Sequence, residues 1–355
     1  MNEKSYEYIV DGEKFVVKEN DYAKIVRSEN YNYNFDKETG FFQRWGKTTE
    51  DDPQVCPVGC EIADIEVTTS CSGVGGKLCK FCYKSNTPNG KNMSLETFKK
   101  LFDKFPKVLN QIAFGADSRA TSNPELFDIM KYAKINGVIP NITVAEVSDE
   151  IADKLASHCG AVAVSRYEDK NYCYDAVEKL TSRGMKQVNI HVMTSVETFD
   201  MVMETLKDRL TDKRLEKLNA IVLLSLKKKG RGKTFNCLPN DKFKEIIDFA
   251  LENNISVGFD SCSCKKFLSS VKENKKYKEF EQCAEPCEAH CFSFYVNVDG
   301  NTVPCSFCDG EKDWEEGIDV VNCVDFIKDI WYNDRVVEFR KKLLAKDRSC
   351  PVFEV

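Results

Sequence analysis

From residue 62 onward, short apolar runs alternate with longer stretches in which apolar residues recur every three or four positions. The runs are IADIEVTT (62–69), QIAFG (111–115), NITVAEV (141–147), AVAVS (161–165), QVNIHVM (187–193) and NAIVLLSL (219–226). Their lengths suit strands rather than helices. Between them lie helical patterns: MSLETFKKLFDKF, PELFDIMKYAKING, SDEIADKLASHCG, DAVEKLTSRG and a long stretch near 196–210. Ser94 is a candidate N-cap, and Asp149 and Glu150 favour the first turn of the helix after Ser148. Strand–helix alternation predicts a parallel sheet with connecting helices. Six such units fall short of the eight that close a full barrel. The expectation is an α/β fold, an open (β/α)6 partial TIM barrel. The helix DKFKEIIDFALENN and the strand ISVGFDS (255–261) extend it.

The pattern changes at both ends. Residues 1–55 hold short alternating pieces, YEYIV and KFVV, and the aromatic stretch YNYNFDKETGFFQRWG. They predict a small β-rich extension that covers an edge of the main sheet or docks a substrate. Residues 56–261 form the alternating core. From 262 to 355 the chain is helix-poor and dense in cysteine, which predicts a small C-terminal domain.

Composition narrows the chemistry. The net charge of −6 argues against a broad nucleic-acid surface. No apolar run is long enough to span a membrane. The polar start MNEKSYEYIVDGEKF does not read as a signal peptide, so a cytoplasmic protein is expected. In a reducing compartment, 17 cysteines beside 3 histidines point to metal or catalysis, and to iron–sulfur before mixed Cys/His zinc.

The densest chemistry follows the first core strand, in CSGVGGKLCKFC. Cys71, Cys79 and Cys82 are separated by seven and then two residues in a glycine-rich loop. Three thiolates can hold three irons of a [4Fe–4S] cluster and leave the fourth open. GVGGK is no phosphate loop, because Leu78 follows the lysine where Ser or Thr is required. Cys56 and Cys60 form a pair that cannot complete a metal site alone. Cys159, Cys173 and Cys237 read as packing thiols, with Cys173 also able to face the site.

The loop, with Phe81 and Tyr83 flanking Cys82, resembles the radical S-adenosylmethionine (SAM) superfamily, although the seven-residue gap exceeds the usual three. The resemblance implies a [4Fe–4S] cluster on Cys71, Cys79 and Cys82 whose open iron binds SAM, and radical hydrogen abstraction. It also implies a flavodoxin- or ferredoxin-type reductant. It further assigns SAM contacts to Phe81, to Gly115, Ala116 and Asp117 after the second core strand, to Ser165, and to Val192 against adenine. Arg166 and Glu168 are weaker candidates.

The C-terminal segment resembles SPASM/twitch extensions. Gly300 to Cys305 is a Gly-x4-Cys hairpin, twelve residues separate Cys287 from Gly300, and DFIKDIWYNDRVVEFRKKL resembles the Trp-bearing tail. This implies at least one auxiliary [4Fe–4S] cluster, with Cys287, Cys291, Cys305, Cys308 and Cys350 as ligands. Cys323 could complete a site, and Cys262, Cys264 and Cys283 are in reserve. Relatives suggest a peptide or protein substrate, as in the maturation of ribosomally made peptides. A nucleoside, tRNA or small metabolite is the alternative substrate, and a Cys-rich zinc scaffold the non-enzymatic one. The basic run KKKGRGK (227–233) reads as a solvent-facing charge or, at the rim of a site, an anion attractor.

Overall fold

The computed structural model describes residues 3–353. Residues before the thiol loop form an antiparallel meander, with β1 (Lys4–Val10), β2 (Glu13–Glu19), β3 (Ala23–Arg27), β4 (Asn32–Asp36) and β5 (Phe42–Trp45) paired in chain order. The main sheet has ten strands. Seven are parallel and in sequence order: β6 (Ile62–Glu66), β7 (Gln111–Gly115), β8 (Ile139–Val144), β9 (Ala161–Ser165), β10 (Gln187–Thr194), β11 (Ala220–Ser225) and β12 (Val257–Phe259). On the other side of β6 the sheet continues with β13 (Ser293–Val296), which pairs with β6 in parallel, then β14 (Asn301–Val303) and β15 (Ile318–Asp319). The cysteine-rich segment is therefore built onto the sheet that carries the first thiol loop.

The crossover helices are α1 (Leu95–Phe102), α2 (Leu126–Ile135), α3 (Asp149–His158), α4 (Lys170–Ser182), α5 (Phe199–Thr211) and α6 (Asn240–Glu252). Ser94 caps α1, accepting from the Thr97 amide at 3.1 Å, and Ser148 caps α3, accepting from Ile151 at 3.2 Å. Helix α4 begins well before the expected DAVEKLTSRG. Asp169 caps it, accepting from the Asn171 amide, and the buried Cys173 and Tyr174 extend its apolar face. Strand β8 stops before Ala145, because the amides of Ala145 and Glu146 turn to the Ser118 carbonyl, at 2.7 and 3.1 Å.

Strands in sequence order step the same way at every crossover, and right-handed crossovers then put every helix on one face. Ile112, Phe114, Val162, Val164, Ile190, Val192 and Leu223 are buried. Alternation turns Gln111, Asn141, Ser165, Asn189 and His191 to the opposite face, where they are less covered. The polar positions inside otherwise apolar strands thus mark a face without helices.

The meander does not lie along a sheet edge. Tyr33 Oη donates to the Val108 carbonyl at 2.7 Å, Lys24 to the Leu109 carbonyl, and Tyr31 to Glu61. These partners just precede β6 and β7, so the meander covers the amino ends of the strands, away from Cys71–Cys82. Cys56 and Cys60 are buried in this junction, with Trp331 Nε1 donating to the Cys56 carbonyl at 2.8 Å. The C-terminal part adds the short α7 (Cys264–Ser270) and α8 (Tyr277–Cys283), a π-helical turn at Phe326–Trp331, and α9 (Asp334–Leu344).

Glu61 makes this junction pH-dependent. Burial pushes its carboxyl up to about 7, against the opposing pull of Arg44 at 3.0 Å. A raised carboxyl pKa means the folded chain holds a proton that the unfolded chain has lost. The contribution is full below the ordinary pKa near 4.5 and is lost as pH rises through about 7. Stability in wild type is expected to fall by about 3 kcal/mol across this window through Glu61. In Glu61→Gln that part of the slope disappears, as denaturant titrations at pH 5, 6, 7 and 8 would measure.

Candidate functional site

The first thiol loop leaves the carboxyl end of β6. The Val67 amide donates to the Gly115 carbonyl and the Cys71 amide to Thr87, at 2.9 and 2.8 Å, which anchors the loop to β7 and to its own return arm. Gly73 has φ +74°, and a Cβ there would strike the Lys77 backbone, so only glycine makes this turn. Cys71, Cys79 and Cys82 are all partly exposed and unbridged.

Tyr167, from the loop after β9, reaches into this set. Its ring stacks on Phe81 at 5.4 Å. Its hydroxyl lies near Cys79, with Cys82 and Cys71 close enough to act on it electrostatically. Burial raises the Tyr167 phenol well above its usual range and the Cys79 thiol to about 11. Neutral surroundings thus oppose thiolate here, and cationic iron reverses that balance. Three unbridged thiols on one loop, with the Tyr167 phenol beside them, are the donor set a [4Fe–4S] cluster needs.

Beside the loop lies a cavity of about 820 Å³, lined by Cys79 and Phe81, by Arg166, Tyr167, Glu168 and Asp169 after β9, by Glu197, Asp200 and Glu204 around the start of α5, and by Phe235. The size suits a nucleoside-scale ligand. The Arg166 guanidinium is buried and donates to Glu204 at 2.7 Å, while its Nε and one terminal nitrogen have no partner.

The other expected cofactor residues lie apart from this cavity. Gly115 and Ala116 end β7 beside the thiol loop. Asp117 turns inward, accepting from the amides of Arg119, Thr121 and Ser122 at 3.2, 2.9 and 3.0 Å. Its carboxylate thus organises its own loop. Ser165 faces the side without helices, in register with His191. Val192 is fully buried on the helix side. Neighbours on the open face are His191, which burial depresses to about 4, and Met193. Ser118 went unnoticed in the sequence. It donates to the Gly73 carbonyl at 2.6 Å and lies 3.9 Å from the Cys71 sulfur.

A second cavity, of about 260 Å³, is lined by Cys262, Cys287, Cys305, Cys308 and Cys350, with Asp64, Lys227 and Asp260. The Cys305 and Cys308 sulfurs are 3.7 Å apart, and Cys262 contacts Cys287. Contact with Cys308 and burial hold Cys305 well above the usual thiol range. Four of these five were expected as ligands. Cys262, held only in reserve, comes from the turn after β12, and its distance in sequence from the others hid it. Cys291 is not in this set. It is fully buried, its amide within the turn after Glu288 and its carbonyl accepting from Cys56, with Arg348 and Arg340 near the thiol. Cys323 lies apart, beside Lys104. Cys173 packs inside α4, its sulfur 3.7 Å from the Val164 carbonyl. Among the described residues, no three His, Cys, Asp or Glu side chains gather tightly enough for one metal ion. A cubane, whose irons occupy separate corners, needs a wider set.

Residues 287–352 match SPASM, an iron–sulfur cluster-binding domain. Two solved structures are similar at low level. BtrN in complex with AdoMet and 2-DOIA has TM-score 0.44 and 16% identity, over 83% of this chain and 93% of that one. HydG, a maturase of the [FeFe]-hydrogenase, has TM-score 0.44 and 14% identity, over 79% of this chain and 68% of that one. No curated protein matches. The family match covers the C-terminal segment alone and agrees with the iron–sulfur site expected there.

Reconstituted Cys305→Ser/Cys308→Ser is expected to hold about four irons fewer per chain than wild type, the content of one cubane. Cys291→Ser should hold the wild-type number. Iron and acid-labile sulfide analysis reads both.

Proposed function

We propose that this chain is a radical SAM enzyme with a SPASM-type C-terminal domain and that it acts on a peptide or protein side chain, of the kind modified in ribosomally made peptides. The observation that carries the reading is the adjacency of a three-thiol loop and a five-thiol cavity, joined by the ring contact of Tyr83 and Phe307 at 4.3 Å. The core is read as an open (β/α)6 partial barrel, its face without helices turned toward the substrate.

Cys71, Cys79 and Cys82 would hold a [4Fe–4S] cluster, and four of Cys262, Cys287, Cys305, Cys308 and Cys350 an auxiliary one. When bound, such a cluster would supply the electron for reductive cleavage of SAM, given a flavodoxin- or ferredoxin-type donor, and so allow hydrogen-atom abstraction from substrate. The chain's own residues bind and shield. Phe81 and Tyr167 form an aromatic wall of the larger cavity. The unpartnered Nε and Nη1 of Arg166 leave hydrogen-bond donors beside that wall. Gly115 and Ala116 present backbone beside the loop. Ser165 and His191 face the open side, where a neutral imidazole accepts or donates a hydrogen bond without adding charge.

A peptide is favoured because the larger cavity opens to the surface and is rimmed by both signs of charge, Lys77 and Lys80 with Glu168, Asp169 and Asp200. Such a rim suits an extended polar chain. A cytoplasmic location follows from the thiol chemistry, which requires a reducing compartment.

Anaerobic reconstitution followed by SAM and dithionite is expected to yield 5′-deoxyadenosine. The triple variant Cys71→Ala/Cys79→Ala/Cys82→Ala should yield none while keeping the iron of the second set. Unchanged yield in the triple variant would remove this loop from the mechanism. Cys305→Ser/Cys308→Ser should still cleave SAM but fail to convert a peptide substrate, read by the mass of the product.

A further inference from the structure

The basic run at 227–233 does not face solvent as its composition suggests. Lys228 and Lys233 are exposed, but Lys227 and Lys229 are buried and Arg231 is partly so. The inward cations reach both thiol sets. Arg231 Nε donates to the Cys79 carbonyl at 2.7 Å, its NH1 to Asn86 at 3.1 Å, and its backbone amide to the Cys82 carbonyl at 3.0 Å. Lys229 Nζ donates to the carbonyls of Phe307, at 2.9 Å, and Asp309, on either side of Cys308. Lys227 pairs with Asp260 and lies 4.9 Å over the Phe307 ring. Gly230, at φ +55°, lies against the carbonyls of Cys82 and Tyr83, where a Cβ would collide.

The two loops also touch each other directly. Tyr83 packs on Phe307, and Lys84 pairs with Asp309 at 2.6 Å. The contacts close a ring: first loop, strap, second loop, and back through Tyr83 and Lys84. A closed ring of charge-assisted bonds and one aromatic contact links the loops, so that a displacement in one has a path to the other.

We propose that residues 227–232 form a strap that couples the two thiol loops, with Lys229 and Arg231 as positioning residues, so that the state of the SPASM loop sets the geometry of the SAM-binding loop. This rests on the radical SAM reading for what the loops hold, but the coupling itself is a property of the chain.

The side-chain hydrogen bonds and ion pair of Lys229 go to Phe307, Asp309 and Glu311 of the second loop, which makes Lys229→Met the diagnostic variant. In the full chain without iron, we expect Cys79 and Cys82 to be alkylated by iodoacetamide about tenfold faster in Lys229→Met than in wild type, the scale of one lost charge-assisted hydrogen bond. Arg231→Met is not equivalent, because losing the Arg231 charge also pushes the Cys79 thiol up and opposes alkylation. Lys104→Met is the control: its Nζ donates to the Cys323 carbonyl at 2.7 Å, off the strap, so the Cys79 and Cys82 rates should stay at wild type. Should Lys229→Met not fold, Lys229→Gln keeps one donor and is expected to give a smaller increase. In the reconstituted holoenzyme, Lys229→Met should alter the change in the first cluster's electron paramagnetic resonance signal on adding SAM. Wild-type labelling of Cys79 and Cys82 in a folded Lys229 variant would overturn the strap. If labelling changes but no variant or wild type cleaves SAM, the coupling stands and the enzymatic reading falls.

Discussion

Strand β6 is paired in parallel on both sides, with β7 and with β13, and the arrangement of the thiols depends on this. Its carboxyl end releases the loop of Cys71, Cys79 and Cys82. Its Ile62 and Asp64 side chains line the second cavity, and β13 brings Cys287 and the Cys305 hairpin alongside. One five-residue strand therefore sets the separation of two cysteine sets that lie at least 180 residues apart in the chain. A parallel neighbour cannot be reached by a tight hairpin, so β13 arrives only after the whole run of crossovers is complete.

Burial works on the thiols in one direction. For Cys79, Cys305 and Cys350 it favours the protonated form. Sites of this kind are stabilised by metal rather than by charged side chains, and binding draws protons off as it proceeds. The buried lysines do something else. Lys227 is matched by Asp260, and Lys229 by backbone carbonyls and Glu311 at 3.0 Å. Their charge is used to hold loops, which is the ordinary condition for keeping a cation out of water.

The sheet keeps its two ends and two faces distinct. Helices cover one face, and the face opposite retains Gln111, Asn141, Asn189 and His191. The meander covers the amino ends, bonding to Val108, Leu109 and Glu61, so the loops at the carboxyl ends remain free for chemistry. The extension, expected to cover a sheet edge or dock a substrate, is instead a foundation at the far end.

The sequence by itself determined the repeating strand and helix units, because their periods of two and about 3.6 are local properties. It also determined the first thiol loop, whose members are within twelve residues of one another, and the Gly-x4-Cys hairpin. Only the tertiary structure decided which thiols meet. Cys262 joins the second set from the turn after β12, while Cys291, nearer in sequence to its expected partners, is turned into the core beside Arg340 and Arg348. It decided that Val192 faces helices and His191 the open side, since alternation fixes that neighbours differ but not which face is covered. It decided that Asp117 serves its own loop and that Tyr167 enters the thiol set. It also turned half of a basic run inward, because a charge run carries no record of the carbonyls that long-range packing will bring within its reach.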